Sequence, residues 1–108
     1  HIAPWKTTYT TTQLVKSKVN FVLSASGHVA GVVNPPAKSK YHYFVNDKTP
    51  ENPEEWLISA KEYSGSWWTH WDKWLSRHSG EKVPAPKPGS GKLKPIADAP
   101  GDYVKMKD

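Results

Sequence analysis

A short apolar run that leads through small residues to a histidine constrains this chain more than any other stretch. Residues 20–23 (Asn-Phe-Val-Leu) combine aromatic and β-branched side chains, which is typical of a strand buried on both faces. The small residues 24–27 follow, and then comes His28. In open α/β sheets, ligands bind beyond the carboxyl ends of the strands, so this position favours a functional site. An imidazole there is suited to proton transfer near neutral pH.

Two interpretations of His28 follow from these residues. In the first, it is a hydrogen-bonded structural histidine at a strand end, since one histidine after one strand is a weak signal. In the second, it transfers protons during a reaction. The charge-free run 29–36, which ends in Asn34-Pro35-Pro36, favours the second interpretation, because a tight apolar segment suits a site that excludes water.

Composition limits the chemistry that these residues can perform alone. The 108 residues suffice for one domain of modest core size. They contain no cysteine, which excludes a disulfide, a cysteine metal site and a thiol nucleophile within this stretch. No apolar run reaches membrane-spanning length, and no signal peptide is visible. Because the chain starts at His1 rather than at methionine, we expect it to be part of a longer protein.

The charges are unevenly distributed along the chain. The net charge is +5, yet all ten acidic residues lie at Asp47 or later. The first 46 residues carry five lysines and no arginine, which indicates either a solvated face or attraction of a phosphate-bearing partner. No nucleic-acid-binding motif is present, so nucleic acid is not expected as a partner. A carboxylate that orients His28 must come from the later part of the chain or from residues ahead of His1.

The pattern predicts alternating helices and strands. Helical spacing runs from Trp5 through Lys16, and we interpret this helix as the crossover that precedes strand 20–23 in a parallel sheet. Residues 41–45 are predicted to be extended. Asn52 followed by Pro53 predicts a helix start, with the helix running to about Tyr63 and burying Trp56, Leu57 and Ala60.

Tryptophan dominates the next predicted helix, residues 67–78, which Ser66 caps. We interpret its stripe as core that docks onto the sheet; the stripe is Trp67, Trp71, Trp74, Leu75 and His78. Structural or solvent roles, and no metal site, are predicted for His42, His70 and His78. We divide the chain into residues 1–80 and a Pro-rich extended tail, residues 81–108, whose end packs back on the same domain.

Several of these motifs together resemble a known family. The segments are Ser24 to Pro36, Gly65 to Trp71 (Gly-Ser-Trp-Trp-Thr-His-Trp), Ala99 to Val104, and the opening His1 to Trp5. They look like the C-terminal part of a class I polyhydroxyalkanoate synthase, and the opening is similar to the segment that directly follows the catalytic aspartate. The resemblance covers nearly the whole chain. Thr69 departs from the family pattern, which has proline in the double-Trp helix.

The resemblance implies the last parallel strands, crossover helix and Trp-rich packing helices of an α/β-hydrolase fold with a Cys-Asp-His triad. His28 would be the base that activates the cysteine, and His1 would line the same site. The implied reaction is acyl transfer from (R)-3-hydroxyacyl-CoA to a growing polyester. It uses a coenzyme A thioester as substrate and no separate cofactor. The basic first half of the chain would suit binding of the coenzyme A phosphates.

The implied partners are the upstream part of the enzyme, which supplies cysteine and aspartate, a second copy in a homodimer, and the surface of cytoplasmic polyester granules. Without the nucleophile, the 108 residues alone should be inactive. Two alternatives stay open. One is a thioesterase or depolymerase on the same scaffold, which would also use His28. The other is a non-enzymatic, basic, Trp-rich binding module.

Overall fold

A computed structural model describes residues 2–107, in which helices and short strands alternate. In chain order the elements are α1 (Trp5–Tyr9), α2 (Thr11–Leu14), β1 (Val22–Ser24), a 3₁₀ turn (Pro36–Lys38), β2 (His42–Val45), α3 (Pro53–Ser59), β3 (Lys61–Ser64), α4 (Trp68–Ser76) and a second 3₁₀ turn (Tyr103–Lys105). The strands form one antiparallel sheet in the order β1–β2–β3. The prediction of mixed α and β structure is therefore confirmed for the described residues.

The direction of strand pairing corrects the predicted parallel sheet. Val22 pairs with Val45 and Ser24 with Tyr43, so β1 and β2 run in opposite directions. Parallel pairing needs a crossover between two strands of the same sheet. The predicted crossover helix precedes β1, and within residues 2–107 every other strand follows β1. That helix therefore has no earlier strand here to connect, and β1 pairs with the strand that comes next.

The predicted helix over residues 5–16 is divided into α1 and α2. Threonine hydroxyls explain the division, because they bond to backbone carbonyls and compete with the helical ladder. Thr8 Oγ1 donates to the Pro4 carbonyl oxygen and Thr10 Oγ1 to the Lys6 carbonyl oxygen, both at 3.3 Å. Helix α2 ends at Leu14, two residues before the predicted end.

Helix α3 begins where the sequence predicted and ends earlier. Asn52 Oδ1 accepts the Glu54 N–H at 2.8 Å, which satisfies one of the free N–H groups of the first turn. The helix stops at Ser59 instead of Tyr63, and residues 61–64 form β3. Tyr63 stacks on Tyr43 across the sheet with ring centroids 5.4 Å apart, a cross-strand contact that stabilises the extended conformation.

An aromatic cluster between α1, α3 and the residue before β1 forms the core. Tyr9 and Trp56 are buried, and the ring of Phe21 lies edge-on to both, with centroids 5.0 and 5.1 Å away. Tyr9 Oη also donates to the Pro50 carbonyl oxygen at 2.6 Å. The predicted burial is confirmed for Trp56, whereas Leu57 and Ala60 are only half-buried, because the core lies on the Trp56 side of α3.

The tryptophan stripe of α4 does not join this core, which corrects its predicted docking on the sheet. No residue of α4 is buried, and the side chains of Trp71 and Trp74 are 47% and 41% exposed. The sheet offers little area for docking, because its strands have only three or four residues. Within residues 2–107 the apolar core lies against α1 and α3 instead.

Residues 81–107 are largely irregular and exposed, and their large apolar side chains are solvent-accessible. Ile96 and Leu93 illustrate this exposure, so the structure does not show the predicted packing of the tail onto the body. The boundary after residue 80 stays a prediction. Among the described residues, no helix has the length and apolar character needed to span a bilayer.

Candidate active site

His28 lies in the loop that leaves the carboxyl end of β1, as predicted. The strand ends at Ser24, and one further ladder bond joins the Ala25 N–H to the His42 carbonyl oxygen at 2.9 Å. Ser26 then adopts a positive φ of 79°, and the chain continues as a bend and a turn instead of a strand. We call residues 25–33, which include His28, the histidine loop.

Backbone hydrogen bonds fold the histidine loop into a helical turn. The Gly31 N–H donates to the Gly27 carbonyl oxygen, and the Val33 N–H donates to the Val29 carbonyl oxygen, both at 2.8 Å. Ser24 Oγ donates to the Gly31 carbonyl oxygen at 2.7 Å. The last residue of β1 therefore holds the far side of the turn that contains His28.

Gly31 is required at its position by a close approach of the backbone. It is buried, and a Cβ atom added there would lie 2.5 Å from the Ala25 carbonyl oxygen. That separation is well below van der Waals contact, and the opposing atom belongs to the main chain. Only glycine fits here without a backbone shift.

Asn34 and the two prolines fix the exit of the histidine loop. Asn34 is 3% exposed, and its Nδ2 donates to the Lys40 carbonyl oxygen at 2.8 Å. Pro35 and Pro36 lead into the 3₁₀ turn, whose end at Ser39 is left-handed with a φ of 42°. The Asn-Pro-Pro motif therefore directs the chain from the loop back into β2.

The double-Trp motif contacts the histidine loop directly. Trp67 Nε1 and Trp68 Nε1 both donate to the carbonyl oxygen of Val32, at 3.1 and 2.8 Å. From the sequence, Trp67 is interpreted as part of the packing stripe, and Trp68 is named only as part of the double-Trp motif. One signal in the sequence could have indicated a separate role for them. Two adjacent residues at a helix start do not lie on the same face of the helix, so both cannot belong to one packing stripe.

The His28 side chain is exposed, together with residues 26–30 on either side of it. The described residues therefore do not enclose it, and the expected exclusion of water is not shown by them. His1, the second predicted site residue, lies outside the described residues. The catalytic role of His28 stays a prediction.

His42, His70 and His78 each have different neighbours and do not form one cluster. His42 Nδ1 lies 3.9 Å from Glu62 Oε1 on the neighbouring strand, and the His78 ring packs on Trp74 with centroids 4.6 Å apart. His70 Nε2 lies 3.0 Å from Asn20 Nδ2. Within residues 2–107, no three His, Asp or Glu side chains are grouped closely enough to hold a metal ion.

A basic groove runs between α4 and the segment before β1. It has a volume of about 380 Å³ and is lined by Lys18, Val19, Asn20, Asn46, Asp47, His70, Lys73, Trp74, Arg77 and His78. Partial burial lowers the pKa of His70, and the positive charges of Lys73 and Arg77 lower it further, against a smaller opposing effect of Asp47. The sequence did not predict that Lys18 would face two cations from α4.

Comparison with known proteins shows that this chain is similar to part of a class of polymer-forming enzymes. The poly(3-hydroxyalkanoate) polymerase subunit PhaC of Cupriavidus necator is 49% identical over 108 residues, covering 99% of this chain and 18% of that protein. The subunit of the same name from Rhizobium meliloti is 49% identical over 107 residues, covering 99% and 17%. The poly(3-hydroxyalkanoate) polymerase of Methylorubrum extorquens is 44% identical over 108 residues, covering 99% and 18%.

The chain is thus homologous over nearly its whole length to a stretch of poly(3-hydroxyalkanoate) polymerases, and the resemblance seen in its motifs is confirmed. It spans less than a fifth of the length of these relatives. No family model matches the chain.

Proposed function

We propose that this chain is part of a polyhydroxyalkanoate synthase in which His28 is the general base. The observation that carries the proposal is the 49% identity over 108 residues to a named poly(3-hydroxyalkanoate) polymerase. The position of His28 after β1, in a turn held by Ser24, supports it, because a base must be held near the proton it accepts.

The proposed reaction needs two residues from elsewhere in the enzyme. His28 accepts the thiol proton of a cysteine, and an aspartate orients the imidazole. The thiolate attacks the thioester carbonyl carbon of a (R)-3-hydroxyacyl-CoA, and coenzyme A leaves with the proton from His28. The hydroxyl oxygen of another acyl unit then attacks the carbonyl carbon of the enzyme thioester, gives its proton to His28 and forms one new ester bond. The carbon–sulfur bond breaks in the same step, and His28 returns the proton to the departing cysteine sulfur.

The finer architecture and the setting belong to the same proposal. In the whole enzyme, these residues would contribute to an α/β-hydrolase domain, with a coenzyme A thioester as substrate and no separate cofactor. The enzyme would act as a homodimer at cytoplasmic polyester granules. The 108 residues alone would be inactive, since they contain no cysteine.

Replacing His28 in the full-length protein tests the catalytic role. The variant His28→Gln should retain its circular dichroism spectrum, while single-turnover acylation by 3-hydroxybutyryl-CoA falls about 10⁴-fold or more, as other triad losses do. His42→Gln is the matched control, because it changes a half-buried histidine on β2 that lies outside the histidine loop. Near-normal acylation in a folded His28→Gln protein would refute the proposal.

Product analysis of the unaltered full-length protein separates the alternatives. A polymerase converts 3-hydroxybutyryl-CoA into polyester and free coenzyme A. A thioesterase or depolymerase on the same scaffold yields only free 3-hydroxy acid, and a non-enzymatic binding module releases no coenzyme A. Either of the last two results would overturn the polymerase assignment.

A further inference from the structure

The carbonyl oxygen of Val32 receives two indole N–H groups from consecutive residues. A carbonyl oxygen has two lone pairs, so Trp67 and Trp68 together complete its hydrogen-bonding capacity. Consecutive residues at a helix start ordinarily point in different directions, about 100° apart around the axis. Their convergence on one atom therefore defines a specific contact between α4 and the histidine loop.

The turn before α4 is itself held against the sheet. Gly65 is buried with a φ of 90°, and its N–H donates to the Tyr41 carbonyl oxygen at 2.9 Å. Ser66 is 4% exposed, and its Oγ accepts the Trp68 N–H at 3.1 Å. The two indoles thus project from a fixed point beside β2.

The histidine loop can transmit this restraint to His28. Val32 comes four residues after His28, one helical turn later. The bonds from Gly31 to Gly27 and from Val33 to Val29 make the loop a continuous turn, and Ser24 Oγ holds the carbonyl oxygen of Gly31, directly before Val32. The loop leaves β1 at Ser24 and is held again at the carbonyl groups of Gly31 and Val32, so the backbone at His28 between them has little freedom to rotate.

We propose that Trp67 and Trp68 are positioning residues for His28. This inference rests on the proposed function, because it assigns the two indole N–H groups to the orientation of the catalytic base. Neither indole needs to touch substrate. Holding Val32 keeps the imidazole aligned with the thiol, and displacement of a reacting group by about 1 Å can cost about 100-fold in rate.

The test removes the two N–H groups and keeps an aromatic ring at each position. In the full-length protein, Trp67→Phe/Trp68→Phe should lower single-turnover acylation by about 10- to 100-fold and leave KM for 3-hydroxybutyryl-CoA within about twofold. Each single variant keeps one donor and should show a smaller loss. The melting temperature should change little, since Val32 is half exposed and water can replace the indoles at its carbonyl oxygen.

Trp74→Phe is the matched control on the same helix. Its ring packs on His78 rather than on the histidine loop, so acylation should stay at the level of the unaltered protein. If the double phenylalanine variant does not fold, benzothienylalanine at both positions replaces the indole N–H by sulfur and keeps the bicyclic shape. That variant should show the same loss of acylation rate.

The outcomes separate this inference from the function on which it rests. Loss of acylation in His28→Gln together with full acylation in a folded variant lacking both indole N–H groups would overturn the positioning role alone. An equal loss in Trp74→Phe would also overturn it, because the effect would then reflect general packing of α4. Retained acylation in His28→Gln would refute the proposed function itself.

Discussion

Ser24 Oγ donates a 2.7 Å hydrogen bond to the carbonyl oxygen of Gly31, so the last residue of β1 holds the turn that carries His28. The two residues are seven positions apart, and the small residues 25–27 that directly follow β1 allow the chain to fold back on itself. A run of small residues after a strand therefore has a definite structural role here. It lets the backbone close tightly around the segment that presents the histidine.

Gly31→Ala should destabilise this turn. The added methyl group would lie 2.5 Å from the Ala25 carbonyl oxygen, so the backbone must shift, at a cost of about 1–3 kcal/mol in the free energy of unfolding. Gly27→Ala is the matched control, because its Cβ would meet nothing within 4 Å. Urea unfolding of the full-length variants measures both effects. Equal stability of the two variants would contradict the close approach at Gly31.

Trp56→Ala should lower the free energy of unfolding more than Trp71→Ala does. Trp56 is completely buried among aromatic rings, and its truncation should lower the free energy of unfolding by about 3–5 kcal/mol. Trp71 is 47% exposed, so its truncation should cost about 1–2 kcal/mol. Urea unfolding of both full-length variants tests the difference. A loss for Trp71→Ala as large as that for Trp56→Ala would contradict the exposure of the α4 stripe.

The pH dependence of stability should contain a contribution from His70. Its pKa in the folded protein is lowered, so below about pH 6.5 the unfolded chain binds the proton more readily. The contribution of neutral His70 to the free energy of unfolding is therefore fully present above about pH 6.5. It is lost as the pH falls toward the lower pKa that His70 has in the folded protein.

The imidazole pKa of His70 can be followed by NMR titration. Lys73→Gln should raise it, because a neighbouring positive charge is removed, and Lys94→Gln in the tail is the control. An unchanged pKa after Lys73→Gln would contradict the arrangement of charges in the basic groove.

Asn52→Ala should weaken the start of α3. The side chain of Asn52 accepts the Glu54 N–H, and loss of such a cap costs about 1 kcal/mol in the free energy of unfolding. Asn52→Asp keeps an acceptor oxygen at the same place and should retain most of the stability. A thermal unfolding series of the three full-length proteins measures the effect. If Asn52→Asp loses as much as Asn52→Ala, the cap does not account for the stability.

Features encoded by neighbouring residues were predictable from the sequence. The start of α3 follows from Asn52 and Pro53, because a cap and a fixed φ act within one helical turn. The burial of Trp56 follows from its place on that helix, and the loop position of His28 follows from the strand before it. The family resemblance was equally accessible, since its motifs are short contiguous segments, and the homologous polymerases confirm it.

Features that depend on contacts between distant residues were decided only by the tertiary structure. Residues 61–64 become a strand because Tyr63 finds Tyr43 across the sheet, a pairing that outweighs the helical pattern around them. Whether β1 pairs in a parallel or an antiparallel manner depends on which strand lies beside it, and here that strand is β2. The contact of Trp67 and Trp68 with Val32 spans about 35 residues of chain, and no local pattern specifies which carbonyl oxygen an indole will meet. Helix and strand propensities depend on a few neighbouring residues. Side-chain burial and strand pairing depend instead on contacts between residues that are distant in sequence, and these contacts exist only in the folded chain.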